Sequence, residues 1–287
     1  MDIKIVTYNI DGLPEQLDLR KLPWPLKPIS WLYKAFRGTT CVSINDNKNK
    51  AANTKEISHR LSELGADIVA VQEDFNYHTE LMENMPFYKA CKHLGGITLD
   101  NIKWFPYPRF KADGLNIINE MGCSVVLYEY IEPWKKSYGY FHRANDKLTT
   151  KGFRHYCVSI GGVRINVLVA HLDADFYDSV KHPNVSKDIV ARRSQFEQLA
   201  DYVNKDKHNN LPLIIMGDFN SYPKYEWDKE NIDYFLSLVH DLELAIPENR
   251  EDCDHIFVRG LKVKRCYFDL SFGSLSDHKP LIAELEL

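Results

Sequence analysis

The feature that most constrains this chain is a recurring pattern: a short apolar, β-branched run that closes on a polar residue with chemistry of its own. IKIVTYNI (3–10) carries Asn9 at its end, and DIVAVQE (67–73) closes on Gln72 and Glu73. VRINVLVAH (163–171) closes on His171, and PLIIMGD (212–218) closes on Asp218. Further runs of the same composition are GLNIINE (114–120), CSVVLYEYI (123–131), FRHYCVSI (153–160), DHIFVRG (254–260), KVKRCYFDL (262–270) and PLIAELEL (280–287). Enrichment in β-branched and aromatic residues over such lengths predicts strands. Several runs alternate, as half-buried strands do, whereas VLVA and LIIM are continuously apolar, as strands covered on both faces are.

Helical periodicity is clear in two places. In NTKEISHRLSELG, Asn53 with Glu56 reads as a capping box, Ile57, Leu61 and Leu64 share a face, and Gly65 is a stop. In SKDIVARRSQFEQLADYVN, Ser186 is the expected N-cap, and Ile189, Phe196, Leu199, Ala200 and Val203 form the apolar stripe. A shorter helix is expected near 228–239. With no internal repeat and no linker composition, residues 1–287 read as a single domain with long loops near 14–50 and 91–112.

Of the 287 residues, 44% are hydrophobic and 26% charged, enough apolar surface for a sizeable core. The formal net charge of −4 gives no global basic field, which disfavours tight nonspecific binding to long nucleic acid. No apolar stretch approaches the roughly eighteen residues of a membrane span, and the N-terminus lacks a long apolar secretory segment. The six cysteines are scattered, with no CxxC pair, and are expected as reduced, packed thiols. These features predict a cytoplasmic, monomeric protein without a transmembrane segment. Both expected loops combine basic and aromatic residues: Arg20, Lys21, Lys27, Lys34 and Arg37 lie among Trp24, Trp31, Tyr33 and Phe36, and Lys92, Lys103, Arg109 and Lys111 lie among Trp104, Phe105, Tyr107 and Phe110. Such segments can pack as satellite clusters, stack nucleic-acid bases, or make peripheral lipid contact, here through 20–37.

The polar strand ends form one chemical set. A hard divalent cation takes carboxylates, waters and phosphate oxygens, and Glu73 and Asp277 can supply the carboxylates. Asp218 can orient or deprotonate a water. Asn220 can hold an oxygen through its amide, and His171 and His278 can donate hydrogen bonds to a phosphate. Asp254 is the candidate carboxylate partner of a histidine.

The motifs TYNIDGL, VQE, AHLDA, GDFNS, CDHIF and SDHKPL, in that order from residue 7 to residue 281, resemble those of the endonuclease/exonuclease/phosphatase superfamily. The resemblance implies an α/β fold of deoxyribonuclease I type. This is a four-layer α/β/β/α sandwich, two packed mixed β-sheets flanked by helices, with the site at one edge. It further implies in-line attack of an activated water on phosphorus, with Mg²⁺, or Mn²⁺ in its place, as cofactor. Carried over residue by residue, Asn9 positions the phosphate and stands with Glu73 and Asp277 at the metal. His171 contacts the phosphoryl group, Asp218 and Asn220 activate and place the nucleophile, and Asp254 orients His278.

The branch within the superfamily stays open. TYNIDGL resembles tyrosyl-DNA phosphodiesterases, while the Lys151-Gly152-Phe153 stretch and the HLDAD run resemble neutral sphingomyelinases. Inositol-polyphosphate phosphatases usually carry an arginine soon after the GD-x-N motif, where this chain reads Ser221-Tyr222-Pro223, and His171 departs from the tyrosine of apurinic endonucleases. The expected activity is a phosphodiesterase acting on a phospholipid head group, a nucleotide or a nucleic-acid end. A phosphomonoesterase of the inositol-phosphatase type, a nuclease, and a catalytically inactive binding module are the alternatives.

Overall fold

Two parallel strand pairs set the architecture in the computed structural model, which describes residues 1–12, 49–91, 97–102, 105–112, 114–128, 132–133, 149–174, 187–205 and 210–287. The first pair is β1 (Asp2–Asn9) and β2 (Ile68–Gln72), with α1 (Lys50–Leu64) between them in sequence. The second is β11 (Val163–His171) and β12 (Leu213–Asp218), with α3 (Lys187–Lys205) between. Parallel neighbours require a crossover, so each helix carries the chain back across its sheet, and the C-terminal ends of each pair lie side by side.

Antiparallel strands complete both sheets. The first has the order β15 (Lys262–Phe268), β16 (Leu281–Glu286), β1, β2, β6 (Leu115–Asn119), β3 (Tyr88–Ala90). The second runs β13 (Glu243–Leu244), β14 (Asp254–Arg259), β12, β11, β10 (Gly152–Ile160), β7 (Cys123–Tyr128), with β8 (Glu132–Pro133) also pairing with β10. A small third sheet joins β4 (Ile97–Ile102), β5 (Phe105–Ala112) and β9 (Thr149–Thr150).

The period-two side-chain alternation of the strands builds the layers. Ile3, Ile5, Ile68 and Ala70 of one sheet and Val167, Val169, Ile214, Met216, Ile256 and Val258 of the other share the core between the sheets. The alternate residues Val6, Tyr8, Val69 and Val71 pack outward with Ile57 and Leu61 of α1 and with Leu81 of α2 (His78–Met82). Leu168, Ala170, Ile215 and Phe257 likewise pack with Phe196 and Leu199 of α3 and Phe235 of α4 (Glu226–Leu238). The result is the expected four-layer α/β/β/α sandwich of two mixed sheets. Among the described residues no helix is long and apolar enough to cross a membrane.

Three local expectations meet the structure differently. Helix α1 starts at Lys50, and the Asn53 amide already bonds to the Asn49 carbonyl at 2.9 Å, so Asn53 and Glu56 lie inside the helix and form no capping box. The earlier start accompanies a tertiary contact: the Lys50 ammonium reaches the Asp11 carbonyl at 2.8 Å and its carboxylate at 2.6 Å. Residues 97–102 and 105–112, expected within a loop, pair antiparallel as β4 and β5. Pro106 and Pro108 argue against a strand in the sequence, but they sit where β5 pairs only with β4, while its pairing to β9 comes later, at Phe110 and Ala112. Helix α4 extends the expected 228–239 segment by two residues, to Glu226. The Ser186 cap, residues 13–48 of the first expected loop and the 20–37 lipid-contact segment lie outside the described residues.

Close approach of the two central strands of the second sheet depends on Gly217, where a Cβ would stand 1.8 Å from the Ala170 carbonyl oxygen of β11. Gly217→Ala must push β12 off β11. We expect it to lower stability by at least about 1–3 kcal/mol, read as a lower urea midpoint than wild type.

Candidate active site

The polar strand ends continue the inward-facing rows of the core. Asn9 follows Ile3, Ile5 and Thr7; His171 follows Val167 and Val169; Asp218 follows Ile214 and Met216; Asp254 precedes Ile256 and Val258. Register aligns them, with His171 opposite Asp218 and Asp218 opposite Asp254 in one sheet and Asn9 opposite Gln72 in the other. β16 runs antiparallel to β1 and begins opposite Thr7, so the segment that precedes it, with Asp277 and His278, arrives at the same rim.

Asp218 is the hub. Its Oδ2 accepts from the Asn9 amide nitrogen at 3.1 Å, a bond that joins the two sheets, and faces His171 Nε2 at 3.3 Å and His278 Nε2 at 3.7 Å. Its Oδ1 accepts from the Asn220 backbone amide at 2.9 Å. His278 Nδ1 donates to Asp254 Oδ2 at 2.7 Å, while Asp252 pairs with Arg250, which selects Asp254 as the histidine's partner. The Asn220 side-chain amide donates to the Leu172 carbonyl at 3.0 Å, beside His171. Ser276 Oγ donates to the Asn9 carbonyl at 2.7 Å, and so ties the Asp277–His278 segment to the end of β1. Asn9, His171, Asp218, Asn220, Asp254 and His278 thus form one connected group. Asp277 is exposed beside it, with Oδ1 3.3 Å from Ser276 Oγ. Glu73 is half-buried, one residue past the Gln72 that pairs with Asn9.

Backbone strain concentrates at these ends. Asp11, Glu73 and Asn220 have φ of 50°, 61° and 47°, in the left-handed region that side chains rarely occupy. Asn tolerates it; a glutamate does so only when its surroundings impose it. Gly12 packs so close to Glu73 that a Cβ there would stand 2.2 Å from the Glu73 carbonyl oxygen. The Asp11 amide donates to Asn9 Oδ1 at 3.0 Å, which fixes the Asn9 amide with its nitrogen toward Asp218.

Electrostatics follow from burial and pairing. Burial alone would raise the Asp218 carboxyl, but His171 and His278 beside it outweigh that and hold it well below the usual carboxylate range. Burial would depress His278, yet the Asp254 and Asp218 charges raise it well above the ordinary histidine value. Asp254 is raised to about 6, by burial first and against the pull of His278. His255, the next residue on β14, is lowered to about 4 by burial and bonds the Ser221 carbonyl through Nε2 at 2.7 Å.

Sequence reasoning gave several members no role of their own, even where they stand inside its motifs. Lys151 is buried, donates to the Leu172 carbonyl at 3.2 Å and helps to lower Asp218. Only the β10–β11 register places it there. Ser276 opens the SDHKPL motif, but the sequence assigned it no role. Cys253 lies against Tyr222 and His278, and burial followed by the Asp218 charge keeps it a protonated thiol. It is one of five free, buried cysteines among the described residues, as expected for packed thiols. Arg192 is fully buried on α3. It donates to Asp228 at 2.9 Å and to the Asp173 carbonyl at 3.2 Å, while the other Asp228 oxygen accepts from the Tyr222 amide at 3.0 Å. This pair ties the loop after His171 to the loop after Asn220.

Two packed mixed sheets with a polar rim at the strand ends define a deoxyribonuclease I-like hydrolase fold. The chain belongs to the Endonuclease/Exonuclease/phosphatase family, whose sequence profile matches residues 6–278. Members of this family hydrolyse phosphoester bonds, generally with divalent metals. Solved structures of the same fold include humanized D. rerio TDP2 carrying 14 mutations, at 12% identity and a TM-score of 0.64, with 100% of this chain and 99% of that one covered. A family protein from Bacteroides thetaiotaomicron has 14% identity and a TM-score of 0.62 over 99% and 95% of the chains. Beta toxin 275-280 from Staphylococcus aureus has 16% identity and a TM-score of 0.62 over 98% and 99%. No curated protein matches the chain by sequence.

The Arg192–Asp228 pair gives a direct test of how the rim is braced. Arg192→Met removes the cation beside the buried Asp228 carboxylate and is expected to cost about 3–5 kcal/mol in urea denaturation at neutral pH. Adding Asp228→Leu should recover most of that loss, since both charges are then gone.

Proposed function

We propose that this chain is a Mg²⁺-dependent phosphodiesterase that attacks phosphorus with an in-line water. The observation that carries the reading is the convergence on Asp218 of Asn9 and His278, from the first sheet and the segment that leads into β16, and of His171 from the second, with Asp254 of the second sheet bonded to His278. An ionised carboxylate fixed in place, with imidazole donors a few ångströms away, can orient a nucleophile on one side and meet developing charge on the other.

Asn9, Glu73 and Asp277 would hold the metal. Their donors are amide and carboxylate oxygens, and the Asp277 side is exposed, which suits a hard cation that keeps several waters. When bound, the cation supplies charge neutralisation at the phosphoryl oxygens. Asp218, held well below the carboxylate range, is suited to orient the attacking water rather than to store its proton. Asn220 places that water, with its own backbone fixed by Asp218. His171 and His278 donate hydrogen bonds to phosphoryl oxygens, and Asp254 fixes the tautomer of His278 so that Nε2 faces the reacting group. Asn9 positions the phosphate.

A diester suits the charge at this rim better than a monoester dianion. Among the described residues the cationic groups around Asp218 are His171, His278 and Lys151, and the residues directly after Asn220 are Ser221, Tyr222 and Pro223 rather than an arginine. One structure of the same fold, D. rerio TDP2, was solved with a single-strand DNA product. A nucleic-acid end is therefore one substrate class to test, with phospholipid head groups and nucleotides beside it.

Purified protein with Mg²⁺ should cleave bis-p-nitrophenyl phosphate faster than p-nitrophenyl phosphate. EDTA should stop the reaction and added Mg²⁺ should restore it; turnover indifferent to chelation would refute the metal assignment. Glu73→Ala should abolish metal-dependent turnover with an unchanged melting transition. His278→Ala should lower kcat by about 10²–10³-fold; a change confined to KM would contradict its role at the transition state.

A further inference from the structure

The Asp218 rim contains a second donor set that the hydrolytic reading leaves unused. Among the described residues, one group of three His, Cys, Asp or Glu side chains offers ligand atoms all within 4.8 Å of one another, and it is Asp218, Cys253 and His278. None of the oxygen donors assigned to Mg²⁺ belongs to it. We propose that Asp218, Cys253 and His278 form an inhibitory seat for a borderline-to-soft divalent cation, Zn²⁺ above all, distinct from the hard-cation site.

Four observations support the seat. Its donors are a thiol, an imidazole and a carboxylate, the combination that zinc takes and magnesium declines. His278 is already oriented as a zinc-ligating histidine is, with Nδ1 donated to a buried carboxylate and Nε2 turned toward Asp218 and Cys253. That carboxylate, Asp254, bonds His278 through one oxygen and has its second oxygen buried with no hydrogen-bond partner, so no donor there draws it away from the imidazole. The distances are near those required: His278 Nε2 and Asp218 Oδ2 are 3.7 Å apart, against about 3.3–3.8 Å between ligand atoms of a tetrahedral zinc ion. Entry is from the His278 side, whose side chain is 16% exposed, while Asp218 and Cys253 are buried behind it.

Binding needs no redox chemistry. Zn²⁺ exchanges bound waters for a carboxylate oxygen, Nε2 and sulfur, the sulfur–zinc bond forms as the S–H proton leaves to solvent, and the open fourth position keeps a water. Two of the three ligands are groups that the hydrolytic reaction uses, so an ion seated there removes Asp218 and His278 from the reaction together. Excess Mg²⁺ does not displace it, because the thiolate and imidazole are poor magnesium ligands. The inhibition rests on the hydrolase reading above; the binding does not.

Cd²⁺ titration of the full chain, without substrate, is the deciding experiment. Wild type should develop an ultraviolet thiolate-to-cadmium charge-transfer band that saturates at one equivalent, with Zn²⁺ competing for it. Cys253→Ser and Cys253→Ala should each lack the band. On a chromogenic diester at saturating Mg²⁺, the Zn²⁺ concentration that halves each protein's own activity should rise in both variants by roughly tenfold or more. No band in wild type, or an equal band in variants that retain the wild-type melting transition, would overturn the seat. Unchanged zinc sensitivity in the variants would overturn the inhibition. A chain that shows the Cys253-dependent band but cleaves no diester keeps the seat and fails the hydrolase reading instead.

Discussion

A carboxylate buried between two apolar sheets persists only if its charge is met on every side, and Asp218 is met from both sheets at once. The Asn9 amide and His278, on the segment that leads into β16, reach it from the first sheet; His171 and the Asn220 backbone reach it within the second sheet and its loops. Removing any one of these leaves a buried charge partly unpaired, which costs far more than a surface ion pair returns. Much of the rim follows from that requirement. Gly217 lets β12 lie against β11 so that Asp218 and His171 end level, and the left-handed turn at Asp11 turns the Asn9 amide toward the carboxylate.

Around this hub stands an outer ring that touches no reacting atom. Lys50 grips Asp11 behind Asn9, Ser276 ties the end of β1 to the His278 segment, and Arg192 with Asp228 joins the loops after His171 and Asn220. These contacts hold strained backbone in place, as a site must if its geometry is to be ready before substrate arrives. The apolar layers on either side of the sheets support the ring, since the strand ends can be no better placed than the strands.

The rim also sorts cations by chemistry. On the proposed reading, the oxygen donors of buried Asn9, half-buried Glu73 and exposed Asp277 suit a hard ion, while the compact set of Asp218, Cys253 and His278 holds a thiol and an imidazole. A hydrolase assembled as proposed would have one site that a hard ion serves and a neighbouring set that a softer ion would block.

Much of this was legible in the residues. The apolar runs named the long strands of both main sheets, most within a residue or two, but not the short β3, β8, β9 and β13, and the motifs named the polar ends, because both depend on local pattern. The α1 capping box was misread because a buried lysine contact, invisible to local pattern, accompanies an earlier helix start. The β4–β5 pair was missed because Pro106 and Pro108 count against a strand until the pairing shows which stretch has a neighbour on one side only. Cys253 and Lys151 stood inside quoted motifs but had no readable role, since their roles depend on what lies across the sheet. By itself the sequence determined which polar residue closes each strand and, through the period of two, which face that residue shares. The tertiary structure decided which ends meet. Parallel pairing brings the ends of β1 and β2, and of β11 and β12, to one edge, antiparallel pairing brings the starts of β14 and β16 to the same edge, and a register slip of one residue would have turned each of these side chains to the opposite face.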